Sequence, residues 1–242
     1  RAGAELFAKV AAPLSLLVEK LRHENARTGA VDPGIVEGIG QRLAKMLGGL
    51  ERTPAGPGGI LDAEAVSGRL GEVLVVLDGL RFDLWCMLRG ELEGRGWSVS
   101  EEPFAVPVPS TTLSFRSLLG IGEAPEGTVG GRSYTLVRWA EHGGGRRKLR
   151  NVLRGKADLK ILHFNFIDVK IHASSIDLYP LFLLARDEFR AAVMPLLEEI
   201  PAFCLASDHG FADTGRMKER YTHGGASPWE VILPFAQVRR PF

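Results

Sequence analysis

The 242-residue sequence predicts an α/β fold, a largely parallel sheet flanked by helices and preceded by a helical N-terminal segment. Two observations carry this. Four apolar runs, EVLVVLDG (72–79), ILHFNFID (161–168), AFCLASDHG (202–210) and WEVILPFAQV (229–238), have the continuous hydrophobicity of strands buried on both faces. Segments with helical spacing separate most of them, and strands that alternate with helices assemble into largely parallel sheets.

The elements follow in order. In the first fifty residues Leu14, Leu17, Val18 and Leu21 make one apolar stripe, and Ile35, Ile39, Leu43, Met46 and Leu47 a second, with TGAVDPG as the turn between two helices. RTPAGPGG (52–59) is too rich in proline and glycine for helix or strand. It reads as a linker and divides a helical segment with its linker, 1–59, from a core, 60–242. After the first strand, 81–93 has helical spacing through Leu84, Met87, Leu88 and Leu92. VPVPSTTLSFRSLLG (106–120) reads as an extended piece broken by prolines, then hydroxyl residues, then a helix. The glycine-rich stretch 120–145 holds SYTLVRW as a strand or edge hairpin, and LYPLFLLARDEFRAAVMPLLEEI (178–200) is a long helix.

Lys and Arg (30) nearly balance Asp and Glu (29), so no global field steers the chain to nucleic acid or membrane. The exception is local: GGGRRKLRNVLRGKADLK (143–160) carries seven basic residues, a solvated helix face or a wall for a polyanionic substrate such as a nucleotide or oligonucleotide. Cys86 and Cys204 lie in apolar segments, form no disulfide framework and suit a reducing cytoplasm. No apolar run reaches the roughly 18 residues of a membrane span. The start, RAGAELFAKV, does not read as a signal peptide and lacks Met, which suits a processed chain or a piece of a longer one.

Three of the apolar runs end in aspartate: Asp78, Asp168 and Asp208. In a parallel sheet the carboxyl ends of strands share one edge, where open α/β proteins build their sites. Carboxylates gathered there repel one another unless cations compensate them. Asp168 and His172 form D-x-x-x-H, which one helical turn places on one face, His209 adjoins Asp208, and His223 follows in a glycine-rich turn. Three Asp and three His suit zinc or manganese better than calcium or magnesium, and iron fits the same donors. Taken singly, a strand-end Asp is commonly a helix cap and a lone His a core or surface residue. The joint pattern is what points to metal. His23, His142 and His163 have no such context and stay outside the set. In PSTT (109–112) the hydroxyls are helix caps or a metal-activated nucleophile beside helix N–H groups.

In order, LDGLRFDLW, PSTTLSFRSLL, FIDVKIH, SDHGF and YTHGGASPWEVILP resemble the core of the alkaline phosphatase superfamily, in particular its PglZ-domain branch, over about residues 72–234. The resemblance implies an alkaline-phosphatase-like sheet and two divalent ions, zinc first and manganese second. Asp168, His172 and His223 would hold one, and Asp78, Asp208 and His209 the other. It makes Thr112 the nucleophile, with Thr111 and Ser110 behind it, and Arg81 and Arg116 candidate substrate contacts, Arg81 being alternatively a structural ion-pair partner. Asp83 reads as a first-turn acid and Glu230 as structural support.

The implied activity is a metal-dependent phosphodiesterase or phosphatase of bacterial phage defence or signalling. Thr112 would attack phosphorus in line between two cations about 4 Å apart, and water would then release the phosphothreonine, with retention at phosphorus. The C-x-P-x-R pattern of sulfatases is absent, and the span from Thr112 to Asp168 leaves only a small insertion where phosphomutases carry a sizeable second domain. The competing expectation is a catalytically silent metal-binding scaffold of a defence complex, docking protein partners through its N-terminal helices.

Overall fold

The structure, a computed structural model, describes residues 2–51, 68–139, 145–216 and 218–240. The linker expected at 52–59, and with it the boundary between 1–59 and 60–242, lies outside these residues.

β1 (Val73–Leu77) sets the architecture. All five of its residues are buried. Val73, Val75 and Leu77 join one hydrophobic cluster and Leu74 and Val76 the other, because successive side chains of a strand point to opposite faces. A strand of this kind needs cover on both sides and a place inside a sheet. It has both. The remaining strands are β2 (Ser98–Ala105), β3 (Glu126–Val129), β4 (Arg132–Trp139), β5 (Leu159–Phe164), β6 (Ala202–Ser207), β7 (Ala212–Asp213), β8 (Tyr221–Thr222) and β9 (Ile232–Arg239). Seven form one sheet in the order β2-β9-β6-β1-β5-β4-β3, and β7 pairs with β8 apart from it.

The four inner strands β6, β1, β5 and β4 are mutually parallel. β9 runs antiparallel to both β6 and β2, and β3 antiparallel to β4. The expected α/β architecture is therefore present, with a parallel centre and antiparallel margins. Its first three apolar runs hold β1, most of β5, and β6. WEVILPFAQV differs: it opens as the short helix Pro228–Val231 and only then becomes β9, against the parallel direction. SYTLVRW is β4, and with β3 it makes the edge hairpin. β2 was not legible as a strand. It carries Glu101, Glu102 and Pro103, which an edge strand tolerates.

The helices are α1 (Ala2–Leu6), α2 (Ala12–Thr28), α3 (Pro33–Glu51), α4 (Phe82–Glu93), α5 (Thr112–Leu119), α6 (Gly145–Leu153), α7 (Phe166–Ala173), α8 (Leu178–Glu188), α9 (Met194–Leu197) and α10 (Pro228–Val231). Two π-helical turns, Phe7–Ala11 and Phe189–Val193, join α1 to α2 and α8 to α9, and each ends two residues before a proline, Pro13 and Pro195. A proline ring clashes with the carbonyl four residues back and offers no N–H, and a wider preceding turn relieves both problems.

The N-terminal helices pack into the main core rather than standing apart. Phe7 is fully buried and meets Trp229 at 4.7 Å and Phe82 at 6.3 Å between ring centroids. The two expected stripes are only partly the buried faces. Val18 and Leu43 are buried, but Leu17 is 43% and Ile35 58% exposed, while Ser15 and Val36 are inside. Ser15 takes a core position because its hydroxyl donates to the buried Asp83 carboxylate at 3.0 Å. No helix among the described residues is long and apolar enough to cross a membrane.

Candidate functional site

Because β6, β1 and β5 are neighbours and parallel, their carboxyl ends lie side by side, with Leu77 in register with both Phe164 and Ser207. Asp78 and Asp208 each follow such a paired residue. Asp168 reaches the same edge differently from expectation. β5 stops at Phe164, Asn165 turns the chain, and Asp168 sits in the first turn of α7. It therefore ends no strand, but D-x-x-x-H does lie on one helical turn.

Seven side chains converge here. Asp78 Oδ1 is 2.9 Å from His209 Nε2, and Asp78 Oδ2 is 3.5 Å from His163 Nε2. Asp168 Oδ1 lies 3.3 Å from His172 Nε2, 3.8 Å from His223 Nε2 and 4.0 Å from His209 Nε2. The Nε2 atoms of His172 and His223 are 3.1 Å apart, and the His209 and His223 rings stack at 4.2 Å. His209 directs Nδ1 to the Gly210 carbonyl at 3.0 Å, which leaves Nε2 to face the carboxylates. Among the described residues three sets have ligand atoms close enough to share an ion: Asp168, His172 and His223; Asp78, Asp168 and His209; and Asp78, His163 and Asp208. The first is one of the two sets expected. The second expected set, Asp78, Asp208 and His209, is not one of the three: Asp78 faces His209 through Oδ1 and His163 through Oδ2, on the side where Asp208 lies.

The hydroxyl residues divide their roles. Thr111 is the N-cap of α5, in extended conformation, and accepts from the Ser114 N–H at 3.3 Å. Ser110 donates to the Gly225 carbonyl at 3.1 Å and accepts from the Gly224 N–H at 3.2 Å, tying this turn to the one that carries His223. Thr112 is left to face the site, and its hydroxyl donates to Asp208 Oδ2 at 2.7 Å.

Electrostatics follow from burial against charge. Asp208 is fully buried, yet the charge of His209 and the bonds from His163 and Thr112 outweigh burial and hold its carboxyl below the usual range. Burial and the Asp208 charge push Asp78 the other way, upward. Burial works against protonation of His209, but the Asp208 and Asp78 carboxylates overcome it and raise the ring to about 9. Burial and the His209 charge lower His223.

Compared with models of known protein families and with the sequences of curated proteins, the chain matches none. What it can do must be argued from the geometry.

Supporting residues hold that geometry. Glu230 accepts from the Gly225 N–H (2.8 Å) and from the Ser227 N–H and hydroxyl, fastening the His223 turn in a capping box. Gly210 lies against the Trp229 carbonyl so closely that a Cβ would sit 1.9 Å from it. Arg81 takes the structural alternative. It is 3% exposed, bonds Asp83 through Nε (3.0 Å) and Nη2 (2.7 Å), reaches the Phe211 carbonyl, and lies 4.3 Å over the Trp229 ring. Arg116 instead lines a cleft with Thr112, Asp78, His163, Asn165, Glu123 and Arg138.

His163, Asn165 and Arg138 were not among the sequence candidates. A histidine inside an otherwise apolar strand is the one signal that pointed to the first. None of residues 147–160 lines this cleft; Lys160 and Leu153 line another, with Ile200 and Pro201, where β5 and β6 begin.

Proposed function

We propose that the chain is a metal-dependent phosphoric ester hydrolase of the PglZ branch of the alkaline phosphatase superfamily, with Thr112 as its nucleophile. One observation carries the reading: the hydroxyl of Thr112, bonded to Asp208, stands at the edge of overlapping groups of carboxylates and imidazoles, and within each group the ligand atoms lie within 4.8 Å of one another.

The residues fit divalent ions. Among the described residues Asp168 Oδ1 is buried without a hydrogen-bond partner, Asp78 Oδ1 has only the His209 imidazole beside it, and two imidazole Nε2 atoms face each other at 3.1 Å. Orphaned acceptors of this kind are costly unless a cation satisfies them. Asp168, His172 and His223 would hold one ion, and Asp78, Asp208 and His209 the other. Mixed nitrogen and oxygen donors suit zinc, then manganese. Bound there, divalent ions would supply the Lewis acidity that lowers the pKa of a hydroxyl and neutralises phosphoryl charge.

The chain's own residues do the rest. Asp208 accepts the Thr112 hydrogen bond and aims its oxygen into the cleft. Thr111 fixes the start of α5, so that Thr112 is presented from a capped helix. Ser110 holds the nucleophile turn against the His223 turn. Arg116, one helical turn beyond Thr112, offers a guanidinium to the substrate phosphate. His163 stands between Asp78 and Asp208 and keeps them apart.

Hydrolysis of an aryl phosphodiester and an aryl phosphomonoester, after metal removal and after add-back of zinc or manganese, tests the reading. Activity that appears only on add-back supports it. A second reading, a silent metal-binding platform for a larger complex, draws on the exposed Leu6, Leu17 and Ile35 of the N-terminal helices. Metal binding without hydrolysis of either ester would favour that reading.

A further inference from the structure

The cleft beside Thr112 has a volume of about 330 Å³, more than a single phosphoryl group requires. Arg116 is its most unusual wall. The residue is 5% exposed, and its Nη2 is buried with no hydrogen-bond partner among the described residues. An unpaired buried charge is among the costliest features a fold carries, and most buried guanidinium groups are paired. Arg81 in this same chain shows the usual solution, with Asp83 across from it.

A second guanidinium faces the same space. Arg138, near the end of β4 and in register with His163 of β5, lines the cleft and is exposed. Burial lowers the basicity of Arg116, and the Arg138 charge lowers it further. Among the described residues, and outside the proposed metal ligands, Glu123 is the one carboxylate of the lining. Asn165 adds an amide whose Oδ1 is buried and unpartnered. An amide can turn its NH2 toward an anion that arrives beside it. Two guanidiniums set against one carboxylate, with an amide in reserve, make a surplus of donors and positive charge that the described residues do not use.

We infer that this cleft is a second anion subsite, in which Arg116 and Arg138 hold a phosphate or carboxylate group next to the phosphoryl centre at Thr112. The substrate class is then a phosphoric ester or anhydride with a further anionic group close to the scissile phosphorus. The location rests on the reading of Thr112 as nucleophile; the anion binding does not.

Calorimetric titration of the full chain, with and without zinc, tests this with orthophosphate, pyrophosphate and phosphonoacetate as probes. Wild type should bind pyrophosphate at least about tenfold more tightly than orthophosphate, the scale of an added charge-assisted pair. Arg138→Gln should reduce that ratio by about tenfold, and Glu123→Gln, which removes a competing anion, should raise it. Both residues are exposed, so neither change disturbs the core. Zinc content is measured after each titration, so that stripping of metal is not read as binding. Phosphonoacetate equal to pyrophosphate assigns the subsite to carboxylate as well as phosphate; a weaker response assigns it to phosphate. Equal affinities for orthophosphate and pyrophosphate in wild type, or a ratio unchanged by Arg138→Gln, overturn the inference. A chain that prefers pyrophosphate but hydrolyses no ester keeps the subsite and loses the proposed function, and a hydrolase without the preference does the reverse.

Discussion

The Thr112 hydroxyl donates to Asp208 Oδ2 at 2.7 Å, whereas Thr111, its neighbour, spends its side chain on the cap of α5. Adjacent residues of one type therefore serve different ends. Thr111→Ala should cost about 1 kcal/mol of stability, the usual value of a lost cap, and leave ester hydrolysis within a few-fold of wild type. Urea denaturation and a steady-state assay on the same preparation check both halves. A large loss of activity without a loss of stability would move the nucleophile to Thr111.

Zinc stoichiometry separates the two proposed ligand sets. His172 is half-exposed in the last turn of α7, so His172→Ala removes a donor without opening the core. Equilibrium dialysis with elemental analysis should show two bound zinc ions in wild type and one in the variant. Two ions in both would remove His172 from the ligands.

Protonation of His209 links metal to pH. In the metal-free chain its pKa is about 9, above the ordinary 6.5. A raised imidazole pKa contributes stability that is complete below pH 6.5 and fades as the pH rises through 9. Metal-free protein should lose on the order of 3 kcal/mol across that window. Zinc requires the neutral ring, so its affinity should rise about tenfold per pH unit toward pH 9. Denaturation with and without zinc at each end of the window reads both trends. A metal-free stability that is flat with pH would mean that His209 is neutral in the fold.

Asp83 is fully buried between Arg81 and Ser15 and far from the cleft residues in role. Asp83→Ala leaves the Arg81 charge buried and alone, which costs about 3–5 kcal/mol. Its thermal midpoint should fall while the folded variant still binds two zinc ions. Unchanged stability would show that the pair is dispensable.

Ser110 joins the nucleophile turn to the Gly224–Gly225 backbone beside His223. Ser110→Ala should weaken zinc binding by about tenfold, the scale seen when groups that orient metal ligands are removed. Competition with a chromogenic chelator measures it. An unaltered affinity would leave Ser110 a purely local turn residue.

Sequence carried the sites that lie at the ends of apolar runs. Asp78, Asp208 and His209 follow strands long enough to be recognised, and D-x-x-x-H needs only one helical turn. His163 was not legible because its partners come through strand register: β5 beside β1 sets it against Asp78 and Asp208, and nothing local encodes that pairing. Arg138 depends in the same way on β4 lying beside β5. For Arg81 the resemblance left substrate contact and structural ion pair both open. Its role is decided by Ser15, 68 residues from Asp83 in the chain, and by the packing of α2. The division of labour between Thr111 and Thr112 required the cap geometry itself.

The rate of aryl phosphodiester hydrolysis by wild type and Thr112→Ala, compared at equal bound zinc, decides whether this centre is catalytic through Thr112. Loss of the nucleophile should lower kcat by at least about 10³-fold with zinc content and fold unchanged. Equal rates in the two proteins, both carrying zinc, would contradict the assignment of Thr112 and leave a metal-binding platform as the better reading of the fold.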